Sequence, residues 1–375
     1  MRLLLALDKF KGSLTAKQAS QAILRGLRRA GLDGQINICP IADGGEGFTE
    51  AIVTALGGEW KELLVSDAQG RHIPAKYALI QRDGKLVAAM EMSAASGLAL
   101  VSDLPLDPRT ATTRGTGEMM LHALQCGAQR ILLGIGGSAT NDGGIGMASV
   151  LGYQFLDENE ELLTNLPADL ERVHRIAKEH RIPCEVDVAC DVTNPLLGEH
   201  GATRVYGPQK GVHDINFFET RLENLADLVA RDLGCDHRNQ PGAGAAGGLG
   251  FGLLSFCGAE LHCGFDLVAE ITGLEEKIHA ADVVITGEGK LDAQTLHGKG
   301  PAGLARMARA AGKKVIGVGG IIDDSPALRE AFDGLWQVKP EGMPVKEALA
   351  RASELLEEAV AARGDSIKAL FASQP

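Results

Sequence analysis

The chain opens with the apolar run Leu3–Leu7, the turn Asp8-Lys-Phe-Lys-Gly-Ser13, and an amphipathic segment that reaches Gly31. Five apolar residues predict a buried strand, and the polar, glycine-containing segment after them predicts a turn. Thr15 and Gln18 have the spacing of a capping box, so a helix should begin there and end at Gly31. A strand, a turn and a helix in this order predict the first unit of a parallel α/β sheet.

The strand-then-helix pattern recurs near both ends of the chain, whereas the middle begins differently. Further strands are predicted at residues 35–41, 281–286 and 314–318, and further helices at residues 48–56, 301–311 and 345–362. Close-set strands at residues 63–65, 75–81 and 86–92 are separated by turn signals, which is typical of a hairpin or meander.

We therefore predict an α/β fold with two domains. Residues 1–68 and 280–375 would form one doubly wound parallel domain, of Rossmann or flavodoxin type, and residues 69–279 a mixed α/β domain inserted into it.

Composition and charge narrow the function classes. The 375 residues are 45% hydrophobic and 23% charged, with a formal net charge of −12, which argues against a general nucleic-acid binder. No apolar segment approaches the roughly 20 residues of a membrane span, and the opening run is too short for a signal peptide. Seven cysteines without zinc-site spacing indicate free thiols, so we expect a cytoplasmic protein that has neither nucleic acid nor membrane as a partner.

Glycine is concentrated in six loops that contain polar residues, at residues 8–13, 43–47, 114–118, 134–144, 242–250 and 287–299. Such loops can bring backbone N–H groups close to phosphate oxygens, although any one of them could be a simple turn. The candidate nucleotide and phosphate ligands are Asp8, Ser13, Gly136, Gly137, Ser138, Asn141, Gly244, Gly247, Gly248, His297 and Lys299.

Two of these loops match the dinucleotide-binding pattern, so an NAD-dependent oxidoreductase is one alternative. Gly134 to Ala139 follows a predicted strand, but residues 140–144 delay the helix that should hold the pyrophosphate. The P-loop pattern is absent from the sequence, which argues against a P-loop enzyme.

Phosphoryl transfer to a hydroxyl is one reaction that uses phosphate-binding loops of this kind, and it needs in addition a base, a cation and a metal ion. Asp191 follows the predicted strand 186–190 and is the candidate general base, unless it only forms an Asx-turn. Lys11, in the first turn, could contact a phosphate or be a solvated turn lysine. Glu288 and Asp292 are candidate Mg²⁺ ligands, with helix capping as the alternative.

A small hydroxy acid also needs its own ligands. Asp43 and Glu46, like Glu288 and Asp292, are candidate metal ligands with helix capping as the alternative. Asp43 is also a candidate substrate ligand. Arg114, Arg204 and Lys210 are the candidate cations for the substrate carboxylate, and the pattern of residues 203–211 predicts a strand that leads into a glycine loop.

Taken in order, these motifs resemble the bacterial glycerate kinase family over nearly the whole chain. The motifs that carry the resemblance are residues 8–13, 42–47, 91–97, 112–118, 134–144, 188–195, 207–211, 241–248, 285–289 and 297–299. The chain departs from the family's usual pattern at Lys9, at residues 160–169 and at residues 319–321, and the first and last of these changes would alter phosphate or substrate contacts.

The resemblance implies ATP-dependent phosphorylation of D-glycerate with Mg²⁺, usually at the 2-hydroxyl to give 2-phosphoglycerate. It also implies an active site in a cleft between two α/β domains, supports Asp191 as the base and argues against the oxidoreductase. The alternatives are a kinase for another short hydroxy acid or polyol, and a non-catalytic protein of the same fold that binds nucleotides or sugar acids. The 2- versus 3-position and the oligomeric state, including a homo-oligomer, stay open.

Overall fold

The computed structural model describes residues 1–178, 182–297, 300–323 and 325–372, except the side chains of residues 294, 297 and 372. The chain has an α/β fold that divides into two compact units. The first unit comprises Met1–Asp43, Glu50–Gly57 and Phe265–Pro375, and the second comprises Gly44–Thr49 and Gly58–Gly264. Among the described residues, no helix combines the length and the apolar character that crossing a membrane requires.

The strands, in chain order, are β1 Arg2–Leu7, β2 Gln35–Ile38, β3 Glu59–Ser66, β4 His72–Arg82, β5 Lys85–Glu91, β6 Arg130–Gly134, β7 Gln154–Leu156, β8 Arg175–Ala177, β9 Glu185–Ala189, β10 Glu260–His262, β11 Val283–Leu291, β12 Lys314–Ile322 and β13 Gly334–Gln337. The helices are α1 Ala16–Arg29, α2 Phe48–Leu56, α3 Ser93–Ser96, α4 Arg114–Gln125, α5 Ile145–Val150, α6 Ala202–Tyr206, α7 Ile215–Leu233, α8 Ala245–Gly252, α9 Gly264–Thr272, α10 Leu274–Ala280, α11 Ala293–His297, α12 Pro301–Ala310, α13 Pro326–Ala331, α14 Val345–Ala350, α15 Ala352–Ala361 and α16 Gly364–Ala372. Pro208–Lys210 forms a short 3₁₀ helix.

The first unit contains a parallel sheet in the order β13-β12-β11-β1-β2. Leu3, Leu5 and Leu7 join a core with Ile23 of α1 and Leu356 of α15. Because successive strand residues point to opposite faces, residues 4 and 6, which are also buried, face the other side of the sheet. The chain order of the strands reverses between β1 and β11, and ligands of open α/β sheets bind at the carboxyl ends of strands at such a point.

The second unit contains a mixed sheet in the order β10-β9-β6-β5-β4-β3. The strands from β10 to β5 are parallel, and β3, β4 and β5 form the antiparallel meander that the turn signals predicted. Its core includes Met90, Ile131 and Val188 of the central strands with Met120 of α4 and Leu225 of α7.

Several element predictions need correction. The strand predicted at the start of residues 203–211 is wrong: residues 203–206 lie in α6, where Thr203 is buried and Val205 is 44% exposed. A segment this short does not distinguish the helical periodicity from the strand periodicity. The predicted last helix, residues 345–362, is interrupted at Arg351, whose ψ of 13° departs from helical geometry.

The two units also group the residues near the predicted domain boundaries. β3 pairs with β4, so residues 58–68 belong with the second unit, whereas residues 265–279 belong with the first. The arrangement of an inserted domain with an active site in a cleft stays a prediction.

Candidate functional site

In the first unit, two carboxylates lie at the point where the strand order reverses. Leu7 at the end of β1 is opposite Gly287 in β11, so Asp8 and Glu288 occupy the next positions of neighbouring strands. The Asp8 amide donates to the Gly287 carbonyl at 2.9 Å, which continues the ladder. Two candidates from opposite ends of the sequence are thus brought together.

The Glu288 carboxyl is mostly buried and is surrounded by other acids. Burial raises the pKa of Glu288 to about 7, and the 2.9 Å hydrogen bond that Thr295 Oγ1 donates to its Oε1 acts against the rise. The negative charges of Asp8, Asp292 and Asp43 raise it further. These neighbouring negative charges raise the pKa of Glu288, and a bound divalent cation would neutralise part of that charge.

Two lysines neutralise part of this acidic group. Lys9 Nζ lies 3.2 Å from Asp43 Oδ1, and the Lys9 amide donates to Asp8 Oδ1 at 2.6 Å. Lys290 Nζ lies 2.8 Å from Asp292 Oδ2. The carboxylates of Asp8, Asp43, Glu288 and Asp292 form this acidic group, and they offer the oxygen ligands that Mg²⁺ prefers.

The first turn packs next to these carboxylates. The side chain of Lys11 is exposed, and a Cβ on Gly289 would lie only 3.2 Å from the Lys11 amide nitrogen. Ser13 Oγ donates to the Phe10 carbonyl at 2.9 Å, so its hydroxyl stabilises its own turn. A Cβ on Gly300, the N-cap of α12, would lie 3.8 Å from Asp8 Oδ2.

Two candidate ligands of this region, His297 and Lys299, lie partly or wholly outside the described residues. The backbone of His297 ends α11, but its side chain lies outside the described residues, as does the whole of Lys299.

In the second unit, Asp191 lies just beyond the end of β9, as its position in the sequence predicted. Its Oδ1 accepts a 2.9 Å hydrogen bond from the amide of Gly264, the first residue of α9. This hydrogen bond orients the Asp191 carboxylate.

Lys210 is buried, with 1% of its surface exposed. Its Nζ donates to Ser138 Oγ and to the carbonyl oxygen of Thr140, both at 2.7 Å. Burial lowers the pKa of Lys210 to about 7, and the charge of Asp142 raises it in part. Ser138 and Lys210, predicted as ligands of different molecules, thus contact each other.

The structure adds Asp142, which the sequence reasoning had not selected. Its carboxylate is buried and accepts hydrogen bonds from the Thr113 amide and hydroxyl, both at 2.8 Å, and from the amides of Gly144 and Gly146. Burial raises the pKa of Asp142, and these hydrogen bonds lower it. An acid between Asn141 and two glycines in a predicted ligand loop was the available signal.

Asn141 Nδ2 donates to Thr203 Oγ1 at 3.1 Å. Asn141 Oδ1 and Thr140 Oγ1 are buried and have no hydrogen-bond partner among the described residues. Unpaired buried oxygens are uncommon in folded proteins and call for an explanation, such as a missing ligand.

Backbone packing explains several of the candidate glycines. A Cβ on Gly244 would lie 2.1 Å from the Pro195 carbonyl oxygen, and one on Gly247 would lie 1.9 Å from that of Thr140. A Cβ on Gly248 would lie 2.9 Å from Gly143 Cα. The 242–250 and 134–144 loops therefore pack backbone against backbone, which requires glycine even without a phosphate.

The glycines of the 136–137 turn differ from each other. A Cβ on Gly136 would lie 2.8 Å from Gly45 Cα, whereas one on Gly137 would have only Ser93 Cβ near it, at 3.6 Å. Gly137 has a φ of +76°, so its turn conformation accounts for the residue type.

The two candidate arginines pair with glutamates. Arg114 Nε donates to Glu118 Oε1 at 3.0 Å, one helical turn away, and Arg204 Nε lies 4.0 Å from Glu219 Oε1. Both side chains are about half exposed, so a substrate carboxylate could compete for them.

Another charged group was missed by sequence reasoning. Potential ligand atoms of Asp187, Glu260 and His262 lie within 4.8 Å of one another, on β9 and β10. Arg130 Nε donates to Asp187 Oδ2 at 2.6 Å, and His262 Nε2 lies 2.8 Å from Asp187 Oδ1. Because a guanidinium already binds this carboxylate, we interpret the group as an ion-pair network.

Comparisons with known proteins agree with the motif order. The profile of the glycerate kinase family matches residues 3–368. The chain is 43% identical over 346 residues to the glycerate 2-kinase of Escherichia coli (strain K12), with 90% of each chain covered. It is 39% identical to the glycerate kinase of Bacillus subtilis (strain 168), with 98% of each covered. A solved structure from Salmonella typhimurium LT2, provisionally described as glycerate kinase 2, superposes with a TM-score of 0.88 at 39% identity and 98% coverage of both chains. The chain therefore belongs to the glycerate kinase family and is a kinase.

Proposed function

We propose that this kinase transfers the γ-phosphoryl group of ATP to the 2-hydroxyl of D-glycerate and uses Mg²⁺. The match to the glycerate kinase family over residues 3–368 carries the proposal. The name of the E. coli relative, glycerate 2-kinase, supports the 2-position.

The acidic group of the first unit supports the metal and nucleotide part. Glu288 and Asp292 would hold Mg²⁺, with Asp8 and Asp43 beside them, and the ion would neutralise charge on the ATP phosphates. Lys11, with its exposed ammonium, would contact the transferring phosphoryl group, and the N-terminus of α12 would favour phosphate next to Asp8.

The second unit supports the acceptor part. Asp191 would accept the proton of the substrate hydroxyl, because its Oδ1 is held by the Gly264 amide and its carboxylate is thereby oriented. The half-exposed Arg114 and Arg204 would bind the substrate carboxylate.

We also propose that the two ends of the chain form a doubly wound domain with the second unit inserted. The parallel sheet of the first unit, whose strands come from both ends of the chain, supports this arrangement.

The test is a coupled ADP-release assay with MgATP and D-glycerate on the wild type, Asp191→Asn and Asp191→Ala. The asparagine keeps an oxygen that can accept from the Gly264 amide but is not basic, whereas the alanine loses both properties. We expect kcat to fall on the order of a hundredfold or more in Asp191→Asn, with unchanged thermal stability. ³¹P NMR of the product distinguishes 2- from 3-phosphoglycerate.

Three other outcomes of the assay would change part of the proposal. Normal turnover in Asp191→Asn would keep the function and remove Asp191 as the base. A wild type inactive on D-glycerate but active on another hydroxy acid or polyol would change the substrate. ATP binding without turnover on any acceptor would indicate a non-catalytic binding protein.

A further inference from the structure

Lys210 is a fully buried lysine in the second unit, and its Nζ donates two hydrogen bonds to one turn. Its Nζ reaches Ser138 Oγ and the Thr140 carbonyl, each at 2.7 Å, so the two hydrogen bonds span residues 138–140. The turn directly follows Gly136 and Gly137, which were selected as ligand residues from the sequence. A lysine buried to 1% exposure is costly unless its amine is hydrogen-bonded, so these contacts account for its position.

The same turn carries two buried oxygens without partners, Thr140 Oγ1 and Asn141 Oδ1. They flank the carbonyl that Lys210 binds, and Asn141 is only 2% exposed. An unpaired buried acceptor costs stability, which a folded protein tolerates where a ligand completes the hydrogen bonds.

The far end of the turn is fixed independently. Asp142 accepts four hydrogen bonds from Thr113, Gly144 and Gly146, which attach residue 142 to the N-terminal ends of α4 and α5. Lys210 and Asp142 therefore hold the two ends, and residues 140 and 141 lie between them.

We propose that Lys210 is a positioning residue for phosphoryl transfer, which holds residues 138–141 through Ser138 Oγ and the Thr140 carbonyl so that Thr140 Oγ1 and Asn141 Oδ1 can contact the hydroxy acid. This inference rests on the proposed function for its ligand. Lys210 acts through the turn and makes no contact with substrate itself.

The test compares Lys210→Met, Ser138→Ala and the double variant with the wild type in the ADP-release assay. In Lys210→Met we expect kcat to fall about a hundredfold, because a turn displaced by about 1 Å misaligns the reacting groups, while KM for D-glycerate changes less than threefold. Ser138→Ala should lose about tenfold, and the double variant should resemble Lys210→Met, since both changes remove one interaction.

The matched control is Lys178→Met. Lys178 is a partly buried lysine of the same unit whose Nζ lies 4.0 Å from the centroid of the Tyr153 ring and has no hydrogen-bond partner among the described residues. The same substitution there should leave kcat within twofold.

A second readout does not depend on turnover. Hydrogen–deuterium exchange of peptides covering residues 136–144 should be faster in Lys210→Met and Ser138→Ala, and unchanged in Lys178→Met. If the wild type fails to phosphorylate D-glycerate, the proposed function fails, and exchange still decides whether Lys210 holds the turn.

Three results would overturn the inference. The first is a KM more than tenfold higher with kcat retained, which would place Lys210 in direct contact with the substrate carboxylate. The second is additive effects of the two substitutions. The third is unchanged exchange in residues 136–144; if Lys210→Met does not fold, Ser138→Ala alone provides this measurement.

Discussion

Asp8 directly follows β1 and Glu288 lies in the neighbouring parallel strand β11, each one position beyond the pair Leu7 and Gly287, and their carboxylates repel each other. Burial and this repulsion together bring the pKa of Glu288 to about 7. Full ionisation of the acidic group therefore destabilises the folded state, and a bound cation is expected to reduce this repulsion.

Glu288→Gln should change how stability depends on pH. The folded pKa of Glu288 lies above the ordinary value of 4.5, so the folded state binds more protons than the unfolded state between pH 4.5 and about 7. The stability that the Glu288 carboxyl contributes to the wild type is therefore lost as the pH rises from 4.5 to about 7. Urea unfolding at several pH values should show the wild type losing on the order of 1–3 kcal/mol relative to Glu288→Gln from pH 4.5 to 7.5.

Mg²⁺ provides the second half of this test. Above pH 7, Mg²⁺ should raise the Tm of the wild type and have little effect on Glu288→Gln. Glu341→Gln, a change at an exposed glutamate of the same unit, is the control. Equal responses of Glu288→Gln and the wild type would remove Glu288 from the metal site.

Lys9→Ser removes one of the cations of the acidic group. Lys9 Nζ lies 3.2 Å from Asp43 Oδ1 and 4.0 Å from Asp8 Oδ1. Without this charge we expect Mg²⁺ to bind about two- to fivefold more tightly, the magnitude of a partly exposed ion pair. Isothermal titration with MgCl₂ measures the Kd, and weaker binding would show that Lys9 organises the carboxylates instead.

The stability of the wild type should rise with pH because of Lys210. Its pKa is lowered from 10.5 to about 7 in the folded state, so the unfolded state binds more protons between these values. The free energy of unfolding should therefore increase with pH, by about 1.4 kcal/mol per pH unit from this group between pH 7.5 and 9.5. Comparison with Lys210→Met isolates the contribution, and parallel pH profiles of the two proteins would contradict it.

Gly247→Ala and Gly234→Ala form a matched pair. Gly247 and Gly234 have φ values of +69° and +70°, so both substitutions impose the same left-handed strain of roughly 1–2 kcal/mol. The alanine methyl at 234 meets no atom within 4 Å, whereas the one at 247 would overlap the Thr140 carbonyl oxygen. Gly247→Ala should thus cost about 1–3 kcal/mol more in chemical denaturation and also lower kcat. Equal costs would mean that the loop moves freely.

Sequence periodicity alone predicted much of the fold. The apolar run at residues 3–7 and the pattern of residues 48–56 depend on neighbours along the chain, and both elements form as expected. The position of Asp191 at a strand end was predictable for the same reason. The ordered motifs also identified the glycerate kinase family, because their residues and spacing are properties of the sequence itself.

Tertiary structure decided what those residues contact. The pairing of β1 with β11 places Asp8 beside Glu288, and no local pattern specifies which distant strand becomes a neighbour. Lys210 was indistinguishable from an exposed cation until its burial against Ser138 was known. Gly247 was a candidate phosphate ligand by motif, but the approach of the Thr140 carbonyl explains why it must be glycine. Local pattern thus determined the elements and the family, whereas burial, charge environment and close backbone contact arose from residues that are distant in sequence.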